Sequence, residues 1–213
     1  MLFVLDSDND LCNDVIEAGF LDPNNDGILG ATTPPTTNAN GQVTSGTGYT
    51  SPNGNYIIYA PIAITTQPTV APTCELENTT ITLTDNGGNT YQWQLSTDGI
   101  TWANLVNNAT YGGVTTNTLT ITSVTNGMNN YKYRVQLNKV GNSCGLLSAE
   151  TTLTVYPKPI VNNVTIIQCD DDLDLLTLFN LTIKNNEIST NFTAETFSYY
   201  TSATGAATAN AAQ

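Results

Sequence analysis

Histidine is absent from this 213-residue chain, and cations are nearly so: five Lys and Arg stand against 18 Asp and Glu, for a formal net charge of −13. The first cation is Lys132, and only Arg134, Lys139, Lys158 and Lys184 follow it. Without a cationic surface the counterions around phosphate groups cannot be displaced, so nucleic acid is excluded as a partner and anionic membrane surfaces are disfavoured. The lack of His removes the commonest general base and the commonest transition-metal ligand. No CxxC pair occurs among the four cysteines, Cys12, Cys74, Cys144 and Cys169, which argues against a zinc cluster and for isolated disulfides in an oxidising compartment. Their spacing alone leaves three pairings open. No apolar run approaches the ~18 residues of a membrane-spanning helix, so direct membrane insertion is not expected. The opening MLFVL is too short and too uncharged for a signal peptide. We expect a piece of a longer exported chain, cut at both ends.

Heptads and sustained helical periodicity are missing as well. Thr is the commonest residue, followed by Asn. Thr suits the wet face of a strand, and Asn and Gly suit turns, so the fold class is all-β. Three parts follow from composition: an acidic segment and connector over residues 1–60, a strand-rich domain over 61–157, and a partial β module over 158–213. In the connector, NANGQV (38–43) predicts a short hairpin with Asn-Gly at its turn.

The acidic segment opens with DSDNDLCNDVIEAG (6–19). Counted from Asp6, the acids occupy positions 1 (Asp6), 3 (Asp8), 5 (Asp10), 9 (Asp14) and 12 (Glu17). That is the ligand spacing of a twelve-residue calcium loop, with Cys12 offering its backbone carbonyl at position 7. Leu11 departs from the pattern, because position 6 is usually Gly. A second run, DPNNDGILG (22–30), repeats the theme with Asp22, Asn24 and Asp26 and has Gly27 in the turn position. The alternative is a solvated acidic linker. Val15, Ile16, Phe20, Ile28 and Leu29 argue against it, since a linker has no use for apolar side chains. The tandem runs resemble thrombospondin type 3 and dockerin-like repeats. That resemblance implies one structural Ca2+ on Asp6, Asp8, Asp10, Asp14 and Glu17, and another on Asp22, Asn24 and Asp26.

From about residue 62 the pattern alternates with period two. TITLT, TYQWQLS, TLTIT, YKYRVQL and TTLTV each carry apolar residues on one face, and turn sequences such as DNGGN and STDG separate them. Two antiparallel sheets packed face to face are the expected outcome. On YQWQLSTDGITW, LTITSVTNGMNNYKYRV and AETTLTV the domain resembles the immunoglobulin-like modules of giant bacterial surface proteins. The resemblance implies that Trp93 is the core tryptophan and Tyr131 the tyrosine corner. Tyr133 stands where the second core cysteine would, so the usual inter-sheet disulfide is missing. Cys74 and Cys144 are then expected to clamp one end of the sandwich, closing a loop of about 70 residues for ~4 kcal/mol. Trp102 and Tyr111 raise a sugar-stacking reading, against which stands packing of Trp102 over the sandwich edge.

The tail, with Gln168, Cys169, Asp170, Asp171, Asp172, Asp174 and FNLT (179–182), resembles a repeat of large proteins of gliding Bacteroidota exported by type IX secretion. Those proteins also carry DSDND-C-DVIEAG runs and immunoglobulin-like modules. The likeness implies an extracellular, cell-surface adhesin or stalk, with gliding motility as its setting. It also implies partners outside this chain for Cys12, upstream, and for Cys169, downstream. The CDDDLD run reads equally as a solubilising turn or as a cation site.

The expected partners are neighbouring modules of the same long chain and an extracellular surface or polysaccharide. A filament subunit, or the accessory carbohydrate-binding region of a secreted hydrolase, is the alternative. An enzyme is not expected, since Asp85, Asp98 and Glu150 are too scattered to form the paired carboxyls of a glycosidase.

Overall fold

In the computed structural model residues 5–30, 36, 38, 39, 52–169 and 179–208 are described. The chain divides into two compact units, Met1–Pro157 and Lys158–Gln213. The acidic segment therefore packs with the strand-rich domain, instead of forming the separate part read from composition.

The first unit opens with the one-turn helix α1 (Asp14–Glu17), and a 3-10 turn at Asn55–Ile57 precedes the strands. The strands are β1 (Ile64–Thr69), β2 (Thr73–Cys74), β3 (Thr79–Asp85), β4 (Thr90–Ser96), β5 (Ala103–Asn104) and β6 (Tyr111–Gly112). After them come β7 (Thr118–Ile121), β8 (Lys132–Lys139), β9 (Asn142–Leu147), β10 (Thr151–Thr152) and β11 (Val155–Tyr156). One sheet has the order β1-β3-β7-β6; the other runs β10-β8-β4-β5, with β9 also on β8, and β11 pairs β2 in parallel. This is the two-sheet arrangement of an immunoglobulin-like sandwich.

Period-two alternation decides which faces meet. Ile81 and Leu83 of β3, Trp93 of β4, Leu119 and Ile121 of β7, and Tyr133, Val135 and Leu137 of β8 are fully buried. The opposite face of β3 is a Thr surface, where hydroxyls of Thr65 and Thr84, and of Thr82 and Thr118, approach within 2.8 and 3.3 Å. Trp93 donates its indole N–H to the Thr116 carbonyl at 2.9 Å, so its polar atom is satisfied inside the core. Tyr133 fills the place expected of a cysteine. Its hydroxyl lies 3.3 Å from that of Tyr111 on the other sheet, so a polar contact between tyrosines bridges the layers where a disulfide often does. Tyr131 is half-buried against this core.

The expected Cys74–Cys144 bond does not form: Cys144 is joined to Cys12, with Cα atoms 5.6 Å apart. Cys74 lies in β2 beside Tyr156, at the far end of the sandwich from Cys144 in β9. Along β8 the level of Cys144, beyond Leu137, and that of Thr152, at Lys132, are more than five residues apart, roughly 17 Å or more at the rise of a strand, beyond the reach of a disulfide. Cys12 therefore needs no upstream partner, and Cys74 and Cys169 are unbonded and exposed.

In the second unit the described residues hold no strand. They form short helical turns at Leu181–Lys184, Asn185–Ile188, Phe192–Ala194 and Ala203–Thr208. Asn180, in FNLT, caps the first of them by accepting from the Thr182 amide at 3.1 Å. Ile160, Val161 and Ile167 are exposed. Asp170, Asp171, Asp172 and Asp174 lie outside the described residues, as does most of NANGQV.

The disulfide closes 132 residues, for which loop-closure entropy gives ~5 kcal/mol. Cys12→Ser should lower unfolding stability in urea by about 2–5 kcal/mol, while Cys74→Ser leaves it nearly unchanged. Equal losses in the two variants would contradict the pairing.

Candidate metal centre

The acidic run folds as a tight loop because its first carboxylate turns inward. Asp6 accepts from the amides of Asp10 and Leu11 at 3.2 and 3.0 Å, and Asp10 accepts from the Cys12 amide at 3.0 Å. The backbone turns through left-handed conformations at Asn9 (φ 60°) and Leu11 (φ 75°). Glycine would take that conformation freely. At Leu11 it costs ~1–2 kcal/mol, and the side chain is left in solvent.

The second run repeats the geometry sixteen residues later. Asp22 accepts from the amides of Asp26 and Gly27 at 3.1 and 2.8 Å, and Asp26 accepts from Ile28 at 2.9 Å. Positive φ recurs at Asn25 and Gly27, residue for residue with Asn9 and Leu11. The two loops are structural copies.

They differ in what faces them. Ligand oxygens of Asp6, Asp8 and Asp10 all lie within 4.8 Å of one another. At an effective dielectric near 20, two unit charges at that separation repel by about 3 kcal/mol. Glu17 adds a fourth carboxylate: it is 0% exposed, and neither of its oxygens has a hydrogen-bond partner. Both carboxylate oxygens of Asp8 are also buried and unpartnered, since Asp6 and the Asp10 amide approach without reaching hydrogen-bond geometry. Unpaired buried carboxylates are expensive, and here their acidities shift accordingly. Burial, then the charges of Asp10, Asp8, Asp6 and Asp14, push Glu17 up to about 8. Burial and the neighbouring Asp10 and Asp6 charges raise Asp8.

This donor set fits a hard divalent cation, which takes all-oxygen ligands and would neutralise the repulsion. Asp6, Asp8, Asp10 and Glu17 could hold it. Asp14 points elsewhere. At the start of α1 its carboxylate accepts from the Ser7 amide at 2.7 Å and from the Ser7 hydroxyl, pinning the loop to the helix. Cys12 contributes its amide to Asp10 and its sulfur to Cys144. In the second loop Asn24 donates to Asp26 at 2.7 Å, so Asp22, Asn24 and Asp26 satisfy one another and the backbone. Among the described residues no buried acid faces that loop. The spacing along the sequence names Glu17, but nothing local signals that it is fully enclosed.

Asp10 also ties the loop to the sandwich. Its other carboxylate oxygen accepts from the Ala60 amide and from the Asn142 side chain, each at 3.2 Å. Asn142 begins β9, two residues before Cys144.

The remaining candidates are dispersed. Asp85 is half-buried, which would raise it, yet Tyr91, Gly87 and Asn89 donate to it and hold it low. Asp98 is held far below the usual carboxylate range by the Thr101 hydroxyl and the amides of Ile100 and Thr101. Glu150 pairs with Lys132. Tyr111 is buried, and the Arg134 guanidinium lies over one face of Trp102, 4.1 Å from its ring centre. That cation–π contact sits on the outer side of the β8-β4-β5 sheet, where Arg134 also donates to Gln94 at 2.8 Å.

Residues 61–157 match a family model described as a domain of unknown function (DUF8696). No curated protein matches the chain. Similar solved structures include the N-terminal Ig1-2 module of the Drosophila receptor protein tyrosine phosphatase DLAR, at 17% identity and TM-score 0.37, over 46% of this chain and 50% of that one. Titin M4 matches at 17% identity and TM-score 0.36, over 45% of this chain and 95% of that one. A Dscam structure matches at 20% identity and TM-score 0.36, over 42% of this chain and 22% of that one. The strand order described above carries the fold assignment. No helix among the described residues is long and apolar enough to cross a membrane.

Glu17 prefers its proton in the folded chain, where it titrates near 8 instead of 4.5. Its contribution to the metal-free protein is therefore full below pH 4.5 and lost as pH rises through 8. Calorimetry in EDTA should show a melting temperature that falls from pH 5 to 8, and Glu17→Gln should flatten that fall. An unchanged slope in the variant would dissociate Glu17 from the effect.

Proposed function

We propose that this chain is a non-catalytic, calcium-stiffened segment of a large extracellular adhesin or stalk protein, in which the immunoglobulin-like sandwich and the acidic loop act as one rigid spacer. The observation that carries the reading is Glu17, enclosed and unpartnered beside three clustered carboxylates. A structural cation at about the millimolar calcium of extracellular fluids supplies the positive charge that the first 131 residues lack. A disulfide and a solvent-facing Thr surface fit an oxidising, extracellular setting. The resemblance of the acidic run and the tail to surface proteins of gliding Bacteroidota supports type IX export and a bacterial cell-surface location, with neighbouring modules and an extracellular surface or polysaccharide as partners.

The carbohydrate-module alternative has less to stand on. Of its two candidate aromatics, Tyr111 is in the core and Trp102 lies beneath Arg134.

Titration with calcium chloride, followed by differential scanning calorimetry, tests the reading. For a dissociation constant of ~10⁻⁴ M, 10 mM calcium is about a hundredfold excess and adds about 2.7 kcal/mol. In a unit of this size that is a rise of roughly 6–10 °C in melting temperature, reversed by EDTA and abolished by Glu17→Gln. A melting temperature indifferent to both calcium and chelator would remove the calcium assignment.

A further inference from the structure

Two attachments join the acidic loop to the sandwich at one corner, and the connector packs against the same place. Asp10 accepts from Ala60 and Asn142. Two residues beyond each of Asp10 and Asn142, Cys12 and Cys144 are covalently joined. Gly141, in the β8–β9 turn, has φ 101°, and a Cβ there would lie 2.9 Å from both Ala60 Cβ and Ile58 Cγ2. The connector that carries Ala60 is thus pressed onto the same hairpin. Asp10 belongs to the carboxylate cluster and to this joint at once.

We propose that the cation site and the Cys12–Cys144 disulfide form one coupled latch: a bound divalent cation makes the disulfide harder to reduce, and reduction weakens cation binding. The inference rests on the calcium reading of the loop. Its physical basis is that both events require the same docked geometry of residues 6–17 against β9. With the cation removed, Asp6, Asp8 and Asp10 are crowded together and Glu17 is left enclosed without a partner while the disulfide holds them in place, so opening the bond relieves that cost. With the bond reduced, Asp10 must be positioned by Ala60 and Asn142 alone, and the loop loses part of the preorganisation that makes it a ligand. Coupling of this kind is reciprocal by thermodynamic necessity. The reduction itself takes two electrons and two protons from a dithiol, converting the cystine to two thiols and the dithiol to its own disulfide. Outside the cell, calcium and an oxidising milieu would keep the latch closed together.

The test uses the full chain carrying Cys74→Ser and Cys169→Ser, which removes the two unbonded thiols. It is equilibrated in dithiothreitol redox buffers with 10 mM calcium chloride or with EDTA, and the reduced fraction is read as the mass added by alkylation. Calcium should lower the equilibrium constant for reduction at least tenfold, about 30 mV in potential. Both Glu17→Gln, which removes a ligand, and Asn142→Ala, which leaves every ligand in place but cuts the joint, should shrink the difference to under about threefold. In parallel, isothermal calorimetry on the oxidised chain measures calcium binding directly. Calcium binding with equal potentials in the two buffers would overturn the latch while leaving the proposed function intact. Absence of binding heat together with an unmoved melting temperature would overturn both.

Discussion

The carboxylate of Asp10 is the joint on which the first unit is organised. One oxygen closes its own loop at Cys12, and the other takes hydrogen bonds from the connector at Ala60 and from β9 at Asn142. It is buried while belonging to a cluster of like charges. A buried carboxylate is tolerated only with strong compensation, and three donors provide part of it. The neighbouring Glu17 has no donors at all. That contrast sets a hydrogen-bonded buried acid beside an enclosed one with no partner.

The sandwich has moved its covalent constraint from the core to a corner. Between the sheets, where related architectures often place a disulfide, Tyr133 and Tyr111 meet hydroxyl to hydroxyl beside Trp93. Burial raises the Tyr133 hydroxyl well above its ordinary range, so the pair stays neutral at any physiological pH. The disulfide instead binds the strand β9 to a segment 132 residues earlier. A segment too small to bury a core of its own is thereby made part of a larger unit.

The two acidic loops show how far a shared backbone geometry can diverge in chemistry. Both are built on an Asp that accepts from two amides four and five residues on. In the second loop Asn24 replaces the middle aspartate and donates to Asp26, which removes both a charge and an unmet acceptor. The first loop keeps three acids and tolerates a leucine in a left-handed turn. Backbone strain of that kind persists where the surroundings over-determine it, and here a disulfide, a helix and a buried carboxylate all converge within eight residues of Leu11.

The five alternating runs, the inward faces of β3, β4, β7 and β8, the core place of Trp93 and the ligand-like spacing of Asp6, Asp8, Asp10 and Glu17 were readable along the chain, while β1 and β9 were not. The readable features depend on alternation, propensity and separation among near neighbours. The partner of Cys12 was not readable, because it depends on which strand end reaches which corner once two sheets have closed. Along the sequence Cys74 is the partner expected for Cys144, yet it lies in β2 beside Tyr156, while Cys144 lies in β9 on β8. The enclosure of Glu17, the diversion of Asp14 to Ser7 and the covering of Trp102 by Arg134 are likewise contacts of assembled surfaces. Burial is a property of what arrives from elsewhere in the chain, and no local pattern records it.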